Sequence, residues 1–424
     1  MKRRDFLKGS AAATLAAMFA ENSTWAAKEQ WSEFKPYPIQ QITTGPLEHW
    51  GAYYDQLHFD PTGRYVVSQE VSFHDAEPTG KEKIRVGLVD LQDGNRWIPL
   101  GTSTAWAWQL GSMIQWIPGT DDAPEIVWND SDGEKFISHV HCPTTGKTRT
   151  LPNPVFALSP DGTYAVFPDF VRLADTRPGY GYPGWVDKNK DVDMPDDAGL
   201  WKMDLKTGET KLLFSFAQVA RTGENGHAEP GWKHWFNHLI VAPGSQRFLF
   251  LHRCTNGKGW FTRLMTANAD GTGLFPLNTS GATSHLQWRD STHILAYTKW
   301  LPFGDQWGFT LMEDQTTNAE KVGWEQMNLF GDGHCAYVPN TNNEWVLNDT
   351  YPKYGGFQML YLFHVPTSTR VELGKFRHAA GFNGPGRVDL HPNCSRDGKW
   401  VLFDSCMSGQ RQQYLLDISR IIGK

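Results

Sequence analysis

The stretch FALSPDGTYAVF, Phe156 to Phe167, decides the fold. It joins a short apolar run, a Pro-Asp-Gly turn and a second run of β-branched and aromatic residues, the pattern of a hairpin. The same figure recurs as LHFDPTGRYVVS from Leu57, MIQWIPGTDDAPEIVW from Met113 and HLIVAPGSQRFLFL from His238. It returns as HLQWRDSTHILAYT from His285, HCAYVPNTNNEWVLN from His334 and HPNCSRDGKWVLFD from His391. Between these lie second hairpins such as IRVGLVDLQDGNRWIPL, LWKMDLKTGETKLLF, TRLMTANADGTGLFPL and QMLYLFHVPTSTRVEL. Seven copies of two hairpins each predict an all-β protein, a seven-bladed β-propeller of four-stranded antiparallel blades. One interval is wider. It holds RLADTRPGYGYPGWVDKNKDVDMPDD, residues 172–197, which reads as a loop insertion on one face.

Composition agrees with short strands and tight turns. The chain of 424 residues carries 19 Trp, 41 Gly and 25 Pro, a mix that argues against long helices. Its net charge of −6, with no basic tract beyond the N-terminus, argues against a nucleic-acid partner. The first residues, MKRRDFLKGSAAATLAAMFA, pair Arg3 and Arg4 ahead of an apolar run too short for a stable membrane span. This arrangement resembles a twin-arginine export signal, with small residues for cleavage around Ala26 or Ala27. The expected organisation is a signal peptide over 1–27 and one propeller domain over 28–424. The expected location is the periplasm or beyond, reached through the twin-arginine machinery. Replacing Arg3 and Arg4 with Lys should trap the precursor in the cytoplasm, and cell fractionation that finds the variant exported would sink this reading. Twin-arginine export carries folded proteins, commonly with a metal or cofactor already inserted. The five cysteines are scattered and lack CxxC pairs, so they form neither a disulfide framework nor a zinc finger.

In a propeller the first strand of each blade lines the central channel. The last four copies begin with His238, His285, His334 and His391, which aims several imidazoles at one funnel. In RVDLHP, spacing of two puts Arg387, Asp389 and His391 on one face of an extended segment. Imidazoles beside a carboxylate suit a divalent transition ion such as manganese, zinc or iron. The expected ligands are His334, Asp389 and His391; the bland alternative for Asp389 is a rim carboxylate paired with Arg387. A second concentration, GHAEPGWKHWFNHLIVAPGSQRFLFLHRC, interleaves Lys233, His234, Asn237, His252 and Arg253 with Trp232 and Trp235. Indoles stack on sugar faces while cations pair with anionic groups, so these residues and Arg387 are expected substrate contacts. Arg263 follows on the next hairpin. The competing view makes this a solvated rim over core tryptophans.

At these positions the chain resembles the oligogalacturonate lyases, which are seven-bladed propellers. The similarity is carried by His238, His252 and Arg263 in TRLMTANADG, by His285, by His334 in a Gly-His-Cys stretch, and by His391-Pro392 before a Ser-x-Asp-Gly turn. Asp389 stands where the family has a second His, and Gly386 stands at its Gln position. The resemblance implies a divalent ion on the channel axis, manganese first, with zinc, iron or calcium as other candidates. It implies cleavage of uronic-acid oligosaccharides by β-elimination, and it gives the role of base to Arg263. An arginine of ordinary pKa above ~12 is a poor base. His238 or His285 as base, with Arg263 holding the carboxylate, is chemically easier. Two alternatives stand beside this: an exported non-enzymatic propeller that binds anionic glycans, and a lyase for another uronate polysaccharide such as ulvan. A hydrolase is disfavoured because the chain has no GxSxG elbow.

Overall fold

The computed structural model describes residues 32–424, and the signal segment with its cleavage region near Ala27 lies outside them. The described residues form seven four-stranded antiparallel sheets. Their innermost strands are, in chain order, Glu48–Trp50, Gln115–Trp116, Ala157–Leu158, Lys233–Val241, Thr283–Trp288, Ala336–Tyr337 and Asn393–Cys394. We number the blades one to seven in that order. The protein is the seven-bladed propeller that its repeats predict.

The ring closes by a device that the repeats did not reveal. The outer strand of blade seven is Ile39–Gln41, from the start of the described chain, paired antiparallel with Gln412–Asp417. Ile39 faces Leu416 and Gln41 faces Tyr414. Joining the two ends of the chain in one sheet removes the open edges that a ring would otherwise present.

The turn of the defining hairpin is held by its own side chains. Ser159 Oγ donates to Asp161 Oδ1 at 2.6 Å, and the Gly162 amide donates to the Ser159 carbonyl at 2.8 Å. Gly162 has φ of 68°, and a Cβ there would meet the Pro118 carbonyl oxygen of the preceding blade at 2.1 Å. Gly398 repeats this against the Pro339 carbonyl oxygen, at 2.3 Å. Each of these turns therefore docks on its neighbour and needs glycine for both reasons. Tryptophans fill the space between blades one and two: Trp50, Trp106, Trp108 and Trp116 are all buried.

The insertion is more ordered than a loop. It contains a helix, Phe170–Thr176, N-capped by Asp169, whose carboxylate accepts from the Val171 and Arg172 amides. Arg172 is wholly buried and binds Asp187 at 3.0 Å, together with the carbonyls of Asn189, Val192, Asp193 and His234. One guanidinium thus ties the insertion to itself and to blade four. The Gln109 amide then donates to the Gly179 carbonyl at 3.0 Å, and Gly179 abuts Pro385. The segment therefore reaches from blade three to the residues that lead into blades two and seven. It crosses one end of the ring.

All five cysteines are free thiols. No helix among the described residues is long and apolar enough to cross a membrane.

Candidate active site

The histidines reach the channel because their strands break register. In blade four the pairing shifts between Asn237 and Ile240, and His238 sits in the break with φ of 52°. In blade five the shift falls between Thr283 and Leu286 and contains His285. His391 precedes its strand with φ of 41°. Bulges re-aim side chains, and left-handed backbone at a non-glycine residue stores roughly 1–3 kcal/mol where the fold over-determines it. The ring centroids follow one another at 5.4 Å from His238 to His285, 4.1 Å from His285 to His334 and 4.5 Å from His334 to His391. The structure brings together all four imidazoles expected from the sequence.

Tyr53, just after the inner strand of blade one, completes the group. Its ring centroid lies 4.8 Å from that of His391, 5.5 Å from His238 and 5.8 Å from His334. Its hydroxyl is buried without a hydrogen-bond partner among the described residues. Burial, then the neighbouring Tyr180 and Tyr54, pushes the phenol well above its ordinary pKa, so it holds its proton.

Donor atoms of His334, Asp389 and His391 lie within 4.8 Å of one another. His334 Nδ1 is 3.0 Å from both oxygens of Asp349, whose Oδ1 also accepts from the His334 amide at 2.7 Å. This orients the ring and leaves Nε2 buried and unpartnered. His391 Nε2 is likewise buried and unpartnered. Asp389 Oδ2 lies 2.8 Å from Arg387 Nη2, an ion-pair contact without hydrogen-bond geometry, and Arg387 Nε donates to Oδ1 at 3.2 Å. Burial, then His334 and Arg387, holds the His391 imidazole well below its ordinary pKa and hence neutral, as a ligand must be. For His334, burial alone would lower the pKa, but Asp349 overcomes it and the net shift is upward. Ligand bonds of ~2.0–2.2 Å put opposing donors roughly 4 Å apart, so two orphaned imidazole nitrogens and a carboxylate at this spacing fit a divalent ion.

His285 has a carboxylate of its own. Its Nδ1 lies 3.0 Å from Asp332 Oδ1 and its Nε2 lies 3.5 Å from the Tyr351 hydroxyl. Burial is the largest influence and lowers its pKa. A neutral imidazole backed by a carboxylate on the far nitrogen is the arrangement of a general base.

The expected substrate contacts divide. Arg387 is at the site, bound to Asp389 and, through Nη2, to the Tyr180 hydroxyl at 3.1 Å. Arg253 is buried near His238, whose pKa is held well down by burial first, then by His285 and by Arg253. The Asn237 amide is buried and unpartnered next to His238. Lys233 forms an ion pair with Asp175 of the insertion.

Arg263, His252 and His234 are not brought into this group; they form a closed chain of their own. Arg263 is wholly buried and donates to the carbonyls of Val219, Thr222 and Glu224 and to His252 Nδ1. His252 Nε2 is 2.7 Å from His234 Nδ1, and His234 Nε2 is 3.1 Å from the His227 carbonyl. A single proton arrangement satisfies every step: His234 donates to the carbonyl, so His252 donates to His234 and accepts from Arg263. With all its donors engaged, Arg263 has none left for a substrate, which corrects the expectation of a catalytic or carboxylate-holding arginine there. The same logic argues against a metal at His234, His252 and Cys254, whose donor atoms also lie close together. We expect Arg263→Lys to lose about 3 kcal/mol or more of stability, because several charge-assisted bonds to buried carbonyls go unmade. An unchanged denaturation midpoint would overturn this.

Sequence reasoning missed Tyr53, Tyr180, Tyr351, Arg177 and Asp332. Asp332 was legible two residues before His334 in GDGHC, at the spacing that flagged Asp389. Tyr180 and Arg177 come from the insertion, where no repeat marks a position.

The comparisons agree with this architecture. Residues 1–20 match the family model of the twin-arginine translocation pathway signal sequence, so the protein is exported by that route, to the periplasm or beyond. No curated protein matches the chain significantly. A solved oligogalacturonate lyase in complex with manganese is 17% identical with a TM-score of 0.62, covering 93% of this chain and 97% of that one. The oligogalacturonate lyase of Vibrio parahaemolyticus is 14% identical with a TM-score of 0.58, covering 92% and 96% respectively. At these identities the likeness establishes the fold: over 92–93% of its length the chain is a seven-bladed propeller similar to the solved oligogalacturonate lyases.

Proposed function

We propose that this protein is a metal-dependent lyase that cleaves uronic-acid oligosaccharides, oligogalacturonate-like, by β-elimination. The observation that carries it is the convergence of unpartnered His334 Nε2 and His391 Nε2 with Asp389, beside the His285–Asp332 pair. A divalent ion at His334, Asp389 and His391, manganese foremost, would neutralise the uronate carboxylate and so acidify the α-proton beside it.

The remaining chemistry belongs to side chains. His285 Nε2 takes the α-proton, and Asp332 stabilises the imidazolium that forms. As the α C–H bond breaks, its electron pair forms the new double bond and the glycosidic C–O bond breaks to the leaving oxygen. Tyr53, kept protonated by burial, supplies a proton to that oxygen. The proton gained by His285 later returns to the phenol through solvent as products leave. Arg387 holds Asp389 in place and lends positive charge at the carboxylate. His238, also neutral, is the other candidate base.

Metal analysis of protein purified without chelator, followed by a screen of uronate oligomers for the ultraviolet absorbance of an unsaturated product, tests this. Metal together with product from oligogalacturonate is the expected result. Product only from an ulvan-type polymer would move the substrate. Metal binding with no unsaturated product from any uronate would leave a glycan-binding protein and sink the lyase.

A further inference from the structure

Two arginines gathered on Trp260 have no carboxylate partner among the described residues. Arg177, from the insertion, lies 4.5 Å from the Trp260 ring centre, and Arg253, from blade four, lies 5.3 Å from the same centre. Neither forms an ion pair with any carboxylate among the described residues, and the Nε of each is buried without a partner. Arg253 is only 6% exposed. A purely structural account would let both rest on the indole, but a cation–π contact leaves the N–H donors unmet. Two guanidiniums with unmet donors, gathered on one ring, oppose each other unless an anion joins them. Burial first, and Arg177's charge next, lowers the Arg253 pKa to about 10.

Their position identifies the anion. Arg177 also lies 4.7 Å from the Tyr180 ring centre, while the Tyr180 hydroxyl accepts from Arg387, the partner of Asp389. The Tyr180 and Tyr53 ring centroids are 6.2 Å apart. Tyr180, and then Arg387 or Tyr53, therefore links the arginine pair to the metal-ligand group, so a sugar unit next to the one held there would meet the pair. Trp260, 47% exposed, offers an indole to that unit.

We propose that Arg177 and Arg253 form a second anion subsite, which takes the carboxylate, or an equivalent sulfate ester, of the sugar next to the one cleaved. The inference rests on the uronate-lyase reading and narrows it: the protein selects chains in which adjacent sugars are both anionic. The insertion, by supplying Arg177, makes that selection.

Calorimetric titration of the manganese-loaded protein tests it. The ligands are a di-uronate, its counterpart with one carboxyl reduced to the alcohol, and a uronate linked to a sulfated neutral sugar. A charge-assisted pair lost on reduction should weaken binding roughly ten- to hundredfold. Arg177→Gln should bring the three ligands within about twofold of one another, with an unfolding midpoint near wild type. Tighter binding of the di-uronate identifies the carboxylate as the natural anion, and tighter binding of the sulfated ligand identifies the ester. No charge preference in the wild type, a preference that survives in Arg177→Gln, or no binding of any ligand overturns the subsite. Unsaturated product without charge preference keeps the lyase and removes the subsite; an Arg177-dependent preference without any product does the reverse.

Discussion

His334→Ala and His391→Ala are each expected to lose the divalent ion while the propeller still folds. The ring is held by seven sheets, by the strand Ile39–Gln41 that closes it and by the apolar clusters between blades, and neither imidazole belongs to these. His391 Nε2 has no hydrogen-bond partner among the described residues, so its removal takes away a ligand and the ring's contacts with Tyr53 and His334 but breaks no hydrogen bond at Nε2. His334 is different, because Asp349 would be left buried with a charge and no imidazole. That variant should also lose about 1–3 kcal/mol of stability. Asp349→Asn separates the two effects, since it keeps the shape of the pair but weakens its hold on the ring. A fall in metal affinity of roughly 10–100-fold is expected there. Metal content by mass spectrometry, alongside circular dichroism, checks all three. Full metal content in either alanine variant would show the ligand assignment to be wrong.

His285→Ala is expected to lower turnover by roughly 10²–10⁴-fold with metal content retained. Its Nδ1 is committed to Asp332, so the nitrogen left to act on substrate is Nε2. His238 lacks such a carboxylate among the described residues; burial first, then the neighbouring His285, Arg253, His334 and Arg177, hold its pKa well down, so a proton taken there would be poorly held. Asp332→Asn should therefore cost turnover too, though less than loss of the imidazole. Steady-state rates on a uronate oligomer decide between the two histidines. If His238→Ala abolishes turnover and His285→Ala does not, the base is His238 and the Asp332 pair is structural.

The blade count and the ring of histidines were legible because both rest on local, repeated chemistry. A turn such as Ser159–Gly162 is built by residues adjacent in sequence, and strand periodicity then carries it to the same place in each blade. His238, His285, His334 and His391 inherit that equivalence, and Asp389 was found through a spacing of two. The sequence by itself therefore determined the architecture and the metal-ligand candidates. Arg263 against Arg253 could be decided only in three dimensions. Both stand near the second hairpin of blade four, and their roles depend on which face of the sheet each side chain leaves from. The helix Phe216–Ala220 and the turn after it bring the Val219, Thr222 and Glu224 carbonyls against Arg263, while Arg253 meets Trp260 and the insertion. Ring closure by Ile39–Gln41, the passage of Arg177 and Tyr180 over the channel, and the central place of Tyr53 were likewise tertiary decisions. Each joins residues far apart in the chain, through contacts that no local propensity encodes.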